Sequence, residues 1–184
     1  QVDGLNFSVF MPKDSIGSMQ AVLHAEGRGF DLFNKRTVST IHTSVKHIRW
    51  KERDLDSITF DAALNEGVLF ASFNSTNSFL NGSMQLDALL GKNKLDGSVM
   101  VRMDSADFNA LGFADTTFAA AFVLEGHVKS DLAQTHRFEA SVRDCYMQLE
   151  RYKVIPERID ILADTDPDSI RLDLVSGDLK MALR

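Results

Sequence analysis

The sequence predicts an all-β protein, and three observations carry that reading. Apolar and polar residues alternate with period two in segment after segment, only three prolines interrupt 184 residues, and no long crossover helix is visible. Parallel sheets depend on such crossovers, so antiparallel hairpins and meanders are expected.

Taken in order, the strand-like run Leu5–Val9 carries Phe7 and Val9 on one parity, and Leu23 opens the next segment. Ile58, Phe60, Ala62 and Leu64 then alternate with polar or small residues, followed by Met84, Leu86 and Ala88 and by Val99, Val101 and Met103. Phe118, Ala120, Phe122 and Leu124 continue the pattern, then Phe138, Ala140 and Val142, and Ile159, Ile161 and Ala163. Ile170, Leu172 and Leu174 precede the last group, Leu179, Met181 and Leu183. The residues between are mostly Asp, Arg, Lys, Ser, Glu or Thr, so one face is apolar and the other wet. Turn chemistry is expected at Asn65-Glu66-Gly67, Asn81-Gly82, Lys92-Asn93, Asp166-Pro167-Asp168 and Ser176-Gly177. A short helix is expected only at Asp104 to Leu111 and at Asp131 to His136, where an Asp could cap one or two turns.

Composition narrows the possibilities. The chain is 44% hydrophobic and 25% charged, which suits a folded chain with one large core or two small units. Its net charge of −6 is scattered and no basic stripe occurs, so nucleic acid is not an expected partner. No stretch approaches the about 20 apolar residues of a membrane-spanning helix, and no signal-like run opens the chain. Cys145 is the single cysteine, which excludes an intrachain disulfide and a multi-cysteine zinc site, and it reads as a small buried residue. Both ends run directly into strand-like sequence, as a piece of a longer chain would.

The halves resemble each other. Asp3-Gly4 matches Asp96-Gly97, Leu23–Gly27 matches Phe122–Gly126, and Asp31-Leu32 matches Asp131-Leu132. Thr40–Val45 faces Phe138–Val142 loosely, Ile58–Ala62 matches Ile159–Ala163, and Ser75 matches Ser176. Two tandem β units, 1–95 and 96–184, joined in one continuous sheet are therefore expected.

The run Leu95-Asp96-Gly97-Ser98-Val99-Met100-Val101, followed by Ser105 to Phe113, resembles a recurring phrase of the TamB-like translocation and assembly proteins, within the wider AsmA-like superfamily. Ile159–Ala163 with Asp168–Leu179, and their earlier counterpart Ile58–Leu80, resemble that family's repeated hairpins. The resemblance implies an elongated, curved antiparallel sheet forming a half-open apolar trough (β-taco-like). It further implies a parent protein anchored in the inner membrane and spanning the periplasm. That parent would conduct phospholipid passively to the outer membrane and support outer-membrane assembly, meeting a barrel assembly protein through parts of the parent not present in this chain. The trough would be lined by the alternating residues named above: Phe7, Val9, Leu23, Ile58, Phe60, Met84, Leu86, Val99, Val101, Met103, Phe118, Phe122, Leu124, Phe138, Val142, Ile159, Ile161, Ile170, Leu172, Leu174, Leu179 and Met181.

Alternation by itself favours a different outcome, in which the same residues close on each other as a sealed β-sandwich or barrel core. Thirteen Phe against two Tyr and one Trp supply bulky apolar surface without polar tips, which leans slightly toward a trough. The competing functions are a structural or adhesive β-repeat protein with a sealed core, and a carrier closing around one lipid. Self-association through edge strands is a further expectation.

No catalytic or metal pattern is expected. Asp164, Asp166 and Asp168 alternate like a calcium loop, but Pro167 interrupts, Ser169 stands where the sharp-turn Gly belongs and Val175 replaces the closing Glu, so a solvated turn is expected. Glu52, Asp54 and Asp56 share a face of an exposed strand entry beside Lys51 and Arg53. The histidines, His24, His42, His47, His127 and His136, form no ligand pair, and the spacing of His42 and His47 puts them on opposite strand faces. Gly27-Arg28-Gly29 lacks the remainder of a dinucleotide motif, and no nucleophile elbow or phosphate loop occurs. Asn74-Ser75-Thr76 and Asn81-Gly82-Ser83 match the glycosylation pattern and read as ordinary turns in a bacterium. The chain is therefore expected to be no enzyme and to need no cofactor.

Overall fold

Residues 2–6, 16–50 and 53–183 are described by the structure, a computed structural model. Among these residues, fourteen strands form a single antiparallel sheet that is not closed into a barrel. The first half comprises β1 (Val2–Asn6), β2 (Ile16–Arg28), β3 (Val38–Trp50), β4 (Arg53–Leu55), β5 (Ile58–Asn65), β6 (Val68–Thr76) and β7 (Leu80–Gly91). The second comprises β8 (Lys94–Asp107), β9 (Phe118–Ser130), β10 (His136–Leu149), β11 (Tyr152–Val154), β12 (Arg158–Thr165), β13 (Ile170–Ser176) and β14 (Leu179–Leu183). Neighbours in space are neighbours in sequence throughout, except that β4 pairs only β3 and β11 pairs only β10, so that β5 and β12 continue the main path.

Hairpin chemistry explains the meander. Two-residue turns join β5 to β6 at Glu66-Gly67, β7 to β8 at Lys92-Asn93 and β13 to β14 at Gly177-Asp178. Glu66 (φ 52°) and Gly67 (φ 81°) both adopt positive φ, as a turn matching the strand twist requires. Asp166 closes the β12–β13 loop by accepting the backbone N–H groups of Asp168 and Ser169 at 2.9 Å each.

Other expectations need correction. Asn81-Gly82 is no turn: it lies inside β7, where the register shifts against β8. The glycosylation-like Asn74-Ser75-Thr76 ends β6 rather than forming a turn. No helix forms at Asp104 to Leu111, because β8 continues to Asp107 and only a single turn follows, with Ala110 N–H donating to the Asp107 carboxylate. At Asp131 to His136 the Asp131 carboxylate accepts N–H groups from Ala133, Gln134 and Thr135, each at 2.9 Å. That ring of bonds makes a tight loop with no helix behind it. A sealed sandwich or barrel is likewise not the architecture, since among the described residues one open sheet has no second layer to close against.

Strands β8–β14 repeat the order and pairing of β1–β7, side strand included. The sequence match of the first strands nevertheless slips. Val2 to Leu5 take three residues against the two from Ala21 to Met19, and Met103 to Ala106 do the same against Phe122 to Ala120. The structural offset, Val2 to Met103, is 101 residues, which aligns Asp3 with Asp104 rather than Asp96 and Leu23 with Leu124 rather than Phe122.

Apart from one at Ile16/Met19, the register irregularities of β2 to β10 lie along one line across the sheet: at Gln20/Ala21 against Val45/His47, on β8 between Met103 and Ala106 as seen from both β7 and β9, and at Arg143/Tyr146. Each places an extra residue on one strand and bends it, so together they crease the sheet. Gly82 sits on this crease, where an added Cβ would come within 2.5 Å of the Arg102 carbonyl oxygen.

Candidate functional site

In an antiparallel ladder, residues paired across strands share a face, so the registers alone sort the chain into two surfaces. Every described residue of the expected lining falls on the same one. Leu23 stands on β2; Ile58 and Phe60 on β5; Met84 and Leu86 on β7; Val99, Val101 and Met103 on β8. Phe118, Phe122 and Leu124 follow on β9, Phe138 and Val142 on β10, and Ile159 and Ile161 on β12. Ile170, Leu172 and Leu174 on β13 and Leu179 and Met181 on β14 complete the row. Phe7 and Val9 lie outside the described residues, as does Glu52.

Two strands join this face without an alternation signal strong enough to reveal them. On β3, Ile41 and Val45 alternate with Ser39 and Thr43, too few apolar groups to read. On β6, Leu69 and Phe73 stand on this face, but Val68 and Phe70 on the other parity are also apolar and hide the period.

Along the main path from β2 to β14, no Asp, Glu, Lys or Arg occupies a paired position on this face. One transverse row runs Ala25, Ile41, Ala62, Ala71, Leu86, Val99, Gly126, Ala140, Ile161, Leu174, Met181. Eleven strands at about 4.8 Å spacing make it roughly 48 Å long.

Burial separates the faces. The buried apolar residues of the strands, among them Leu64, Ala71, Ala88, Ala120, Ala140, Val142 and Cys145, all stand on the uncharged face, whereas no described strand residue of the opposite face is buried. In a single sheet with nothing stacked on it, the more occluded face is the concave one. Its bulky residues are not sealed, however. Phe60, Met84, Leu86, Val101, Phe122, Leu124 and Phe138 are half-buried, and the largest fully buried side chain among the described residues is that of Ser75. Ser75 is satisfied by donating to the Leu80 carbonyl at 2.6 Å.

The opposite face is laced with charge. Arg143 contacts Glu125 at 2.6 Å and Asp144 at 3.0 Å, Arg137 reaches Glu139 and Asp164, and Arg158 meets Asp160 at 2.7 Å. Asp96 is paired with His127 at 2.9 Å and with Lys94 at 3.4 Å. Although partial desolvation opposes it, the Asp96 carboxyl is held below its usual range, chiefly by the Lys94 ammonium. A solvent-open depression of about 640 Å³ lies among Glu125, Arg137, Glu139, Arg158, Asp160 and Asp173, four carboxylates against two guanidinium groups.

The histidines sort differently from their expected positions. An extra residue, Lys46, enters β3 between Val45 and His47, so His47 returns to the polar face that His42 occupies. His42 pairs in register with His24 and donates to Asp61 at 2.5 Å, and His47 lies 3.6 Å from Asp54. Among the described residues no three His, Cys, Asp or Glu side chains gather as a metal-ligand set. At Asp164 to Asp168, where a solvated turn is expected, the Asp166 carboxylate accepts the backbone N–H groups of Asp168 and Ser169 and the Ser169 hydroxyl, which hold its pKa low. Cys145 is buried, and desolvation pushes its thiol pKa up.

The two halves differ beside their side strands, where Arg53 of β4 pairs in register with Trp50 and brings a charge to the margin of this face. Under β4, Leu55 is 8% exposed and Arg53 lies over the Phe79 ring at 5.5 Å. Beside β11, Val154 is 42% exposed and lines an apolar cavity of about 260 Å³ with Met147, Pro156, Ile159, Leu174 and Met181.

No protein-family model matches this chain, and neither a curated protein nor a solved structure matches it.

Proposed function

We propose that this chain is a segment of a passive lipid conduit, its uncharged concave face holding acyl chains while headgroups stay in water. One observation carries the reading: about 48 Å of continuous face without a paired charge, on which bulky apolar groups stand half-exposed. A sealed structural core would bury those groups, and a reaction would need convergent polar chemistry on the same surface. Contact with about a dozen methylenes at roughly 0.8 kcal/mol each gives on the order of 10 kcal/mol per tail before the costs of immobilisation. The hydrophobic effect has no direction, so a uniform lining lets a tail slide between equivalent positions.

The resemblance to TamB-like proteins supports placing the parent protein in the cell envelope. It would be anchored in the inner membrane, cross the periplasm, and meet an outer-membrane barrel assembly protein through other parts of that parent. No covalent step and no cofactor enters this proposal.

Detergent-free purification followed by mass spectrometry of co-extracted lipid tests it. Several phospholipids per chain are expected. One per chain would assign a carrier instead, and none would leave the face without a lipid role.

A further inference from the structure

The loop between β2 and β3, residues 29–37, carries the most exposed aromatic side chain in the described protein. Phe30 is 104% exposed, and Leu32 and Phe33 are 54% and 40% exposed beside it. Three apolar groups thrust into solvent from nine residues call for a partner. The loop is not floppy. Asn34 N–H and the Thr37 hydroxyl both donate to the Asp31 carbonyl, at 3.0 and 2.6 Å, Thr37 N–H donates to the Asn34 carbonyl, and Phe33 N–H donates to the Asp31 carboxylate. Gly29 takes φ 83° at the base, where a Cβ would lie 2.6 Å from the Thr37 hydroxyl. Much of the loop's backbone polarity is therefore satisfied internally, which lowers the cost of moving it out of water.

Charge identifies the partner. In a chain of net charge −6, this loop and its base hold Arg28, Lys35 and Arg36 against Asp31 alone. All three cations are exposed, and none has an ion-pair partner among the described residues. The corresponding loop of the second half, Asp131 to Thr135, starts with the same Asp-Leu pair but has no aromatic residue; its cations are confined to the base, Lys129 and Arg137, and Arg137 is paired with Glu139 and Asp164. Apolar tips ringed by cations are the signature of a segment that lies in an anionic bilayer interface.

We propose that the β2–β3 loop docks this protein onto an anionic lipid bilayer, with Phe30, Leu32 and Phe33 inserted at the headgroup level and Arg28, Lys35 and Arg36 against the phosphates. The proposal is independent of whether the concave face carries lipid.

The test is co-sedimentation of the whole chain with vesicles of phosphatidylcholine alone or mixed with phosphatidylglycerol. Binding to the mixed vesicles is expected and should weaken as salt rises from about 0.1 to about 1 M, which shortens the Debye length from about 10 to about 3 Å. F30S/L32S/F33S should weaken it on the order of a hundredfold, while the lipid that co-purifies on the concave face is unchanged. R28Q/K35Q/R36Q, which leaves the apolar tips intact, should abolish the salt dependence. A second readout is Phe30→Trp in a Trp50→Phe background, whose emission should shift to the blue on adding mixed vesicles. Equal binding to both vesicle types at both salts, equal binding by the triple-serine variant, or an unshifted emission from the Phe30→Trp variant would each overturn the proposal.

Discussion

At the scale of the residue, Asp131 shows how a loop is held by one carboxylate. The backbone N–H groups of Thr135, Ala133 and Gln134 lower its pKa to about 2. Because the folded pKa lies below the ordinary Asp value of about 3.9, the loop gains stabilisation that is complete above that value and lost as pH falls through about 2. NMR titration of Asp131 is therefore expected to give a midpoint near 2, with the amides of residues 133–135 losing exchange protection over the same range. An ordinary midpoint near 4 would mean that the three bonds do not form in solution. Core residues divide just as sharply. Leu64 is 3% exposed, so Leu64→Ala should cost about 2 to 4 kcal/mol in urea unfolding, whereas half-buried Leu86→Ala should cost less than about 1.5 kcal/mol.

At the scale of the element, the crease decides what is legible. Strands such as β5, β7 and β12 announce themselves because period-two alternation directly reports a half-buried strand, and the candidate face follows from it. What alternation cannot report is a bulge, since one inserted residue changes parity without changing composition. That is why spacing alone sets His47 opposite His42; Asn81-Gly82 reads as a turn from its chemistry, although it lies inside β7 beside the extra residue of β8. The cap signals expected at Asp104 and Asp131 serve no helix: Asp104 lies within β8, Asp107 closes the single turn that follows, and Asp131 closes a loop. Whether the apolar face is open or sealed is illegible for another reason: both outcomes use the same residues, and only the absence of a second layer separates them. The crease itself yields a test. Gly82→Ala would force a Cβ to within 2.5 Å of a backbone oxygen and should cost about 1 to 3 kcal/mol, whereas Gly177→Ala, with nothing within 4 Å, should cost only the strain of its φ of 56°, about 1 kcal/mol. Equal losses in thermal unfolding would mean that the close approach at Gly82 relaxes.

At the scale of the whole molecule, the protein exposes 12,299 Å². A compact monomer of 20.5 kDa would expose about 8,900 Å², and the excess is the open sheet itself. On the function proposed above, acyl chains would lie along the whole uncharged face, and one pair of adjacent residues tests this. Leu86 stands mid-row between Ala71 and Val99, while Gln85 projects from the opposite face of the same strand. Leu86→Glu keeps its carboxylate within reach of water, so the fold should survive. A tail lying beside that charge would be penalised by about 2.5 to 3.5 kcal/mol, the cost of a charge set in hydrocarbon. Tails should therefore leave the strands around β7 yet remain on those farther off, and the co-purified phospholipid should fall in part without vanishing. Gln85→Glu adds the same charge one residue away and should leave the lipid content unchanged. Complete loss with Leu86→Glu would assign a single central pocket, and equal effects of both variants would mean that lipid does not distinguish the faces.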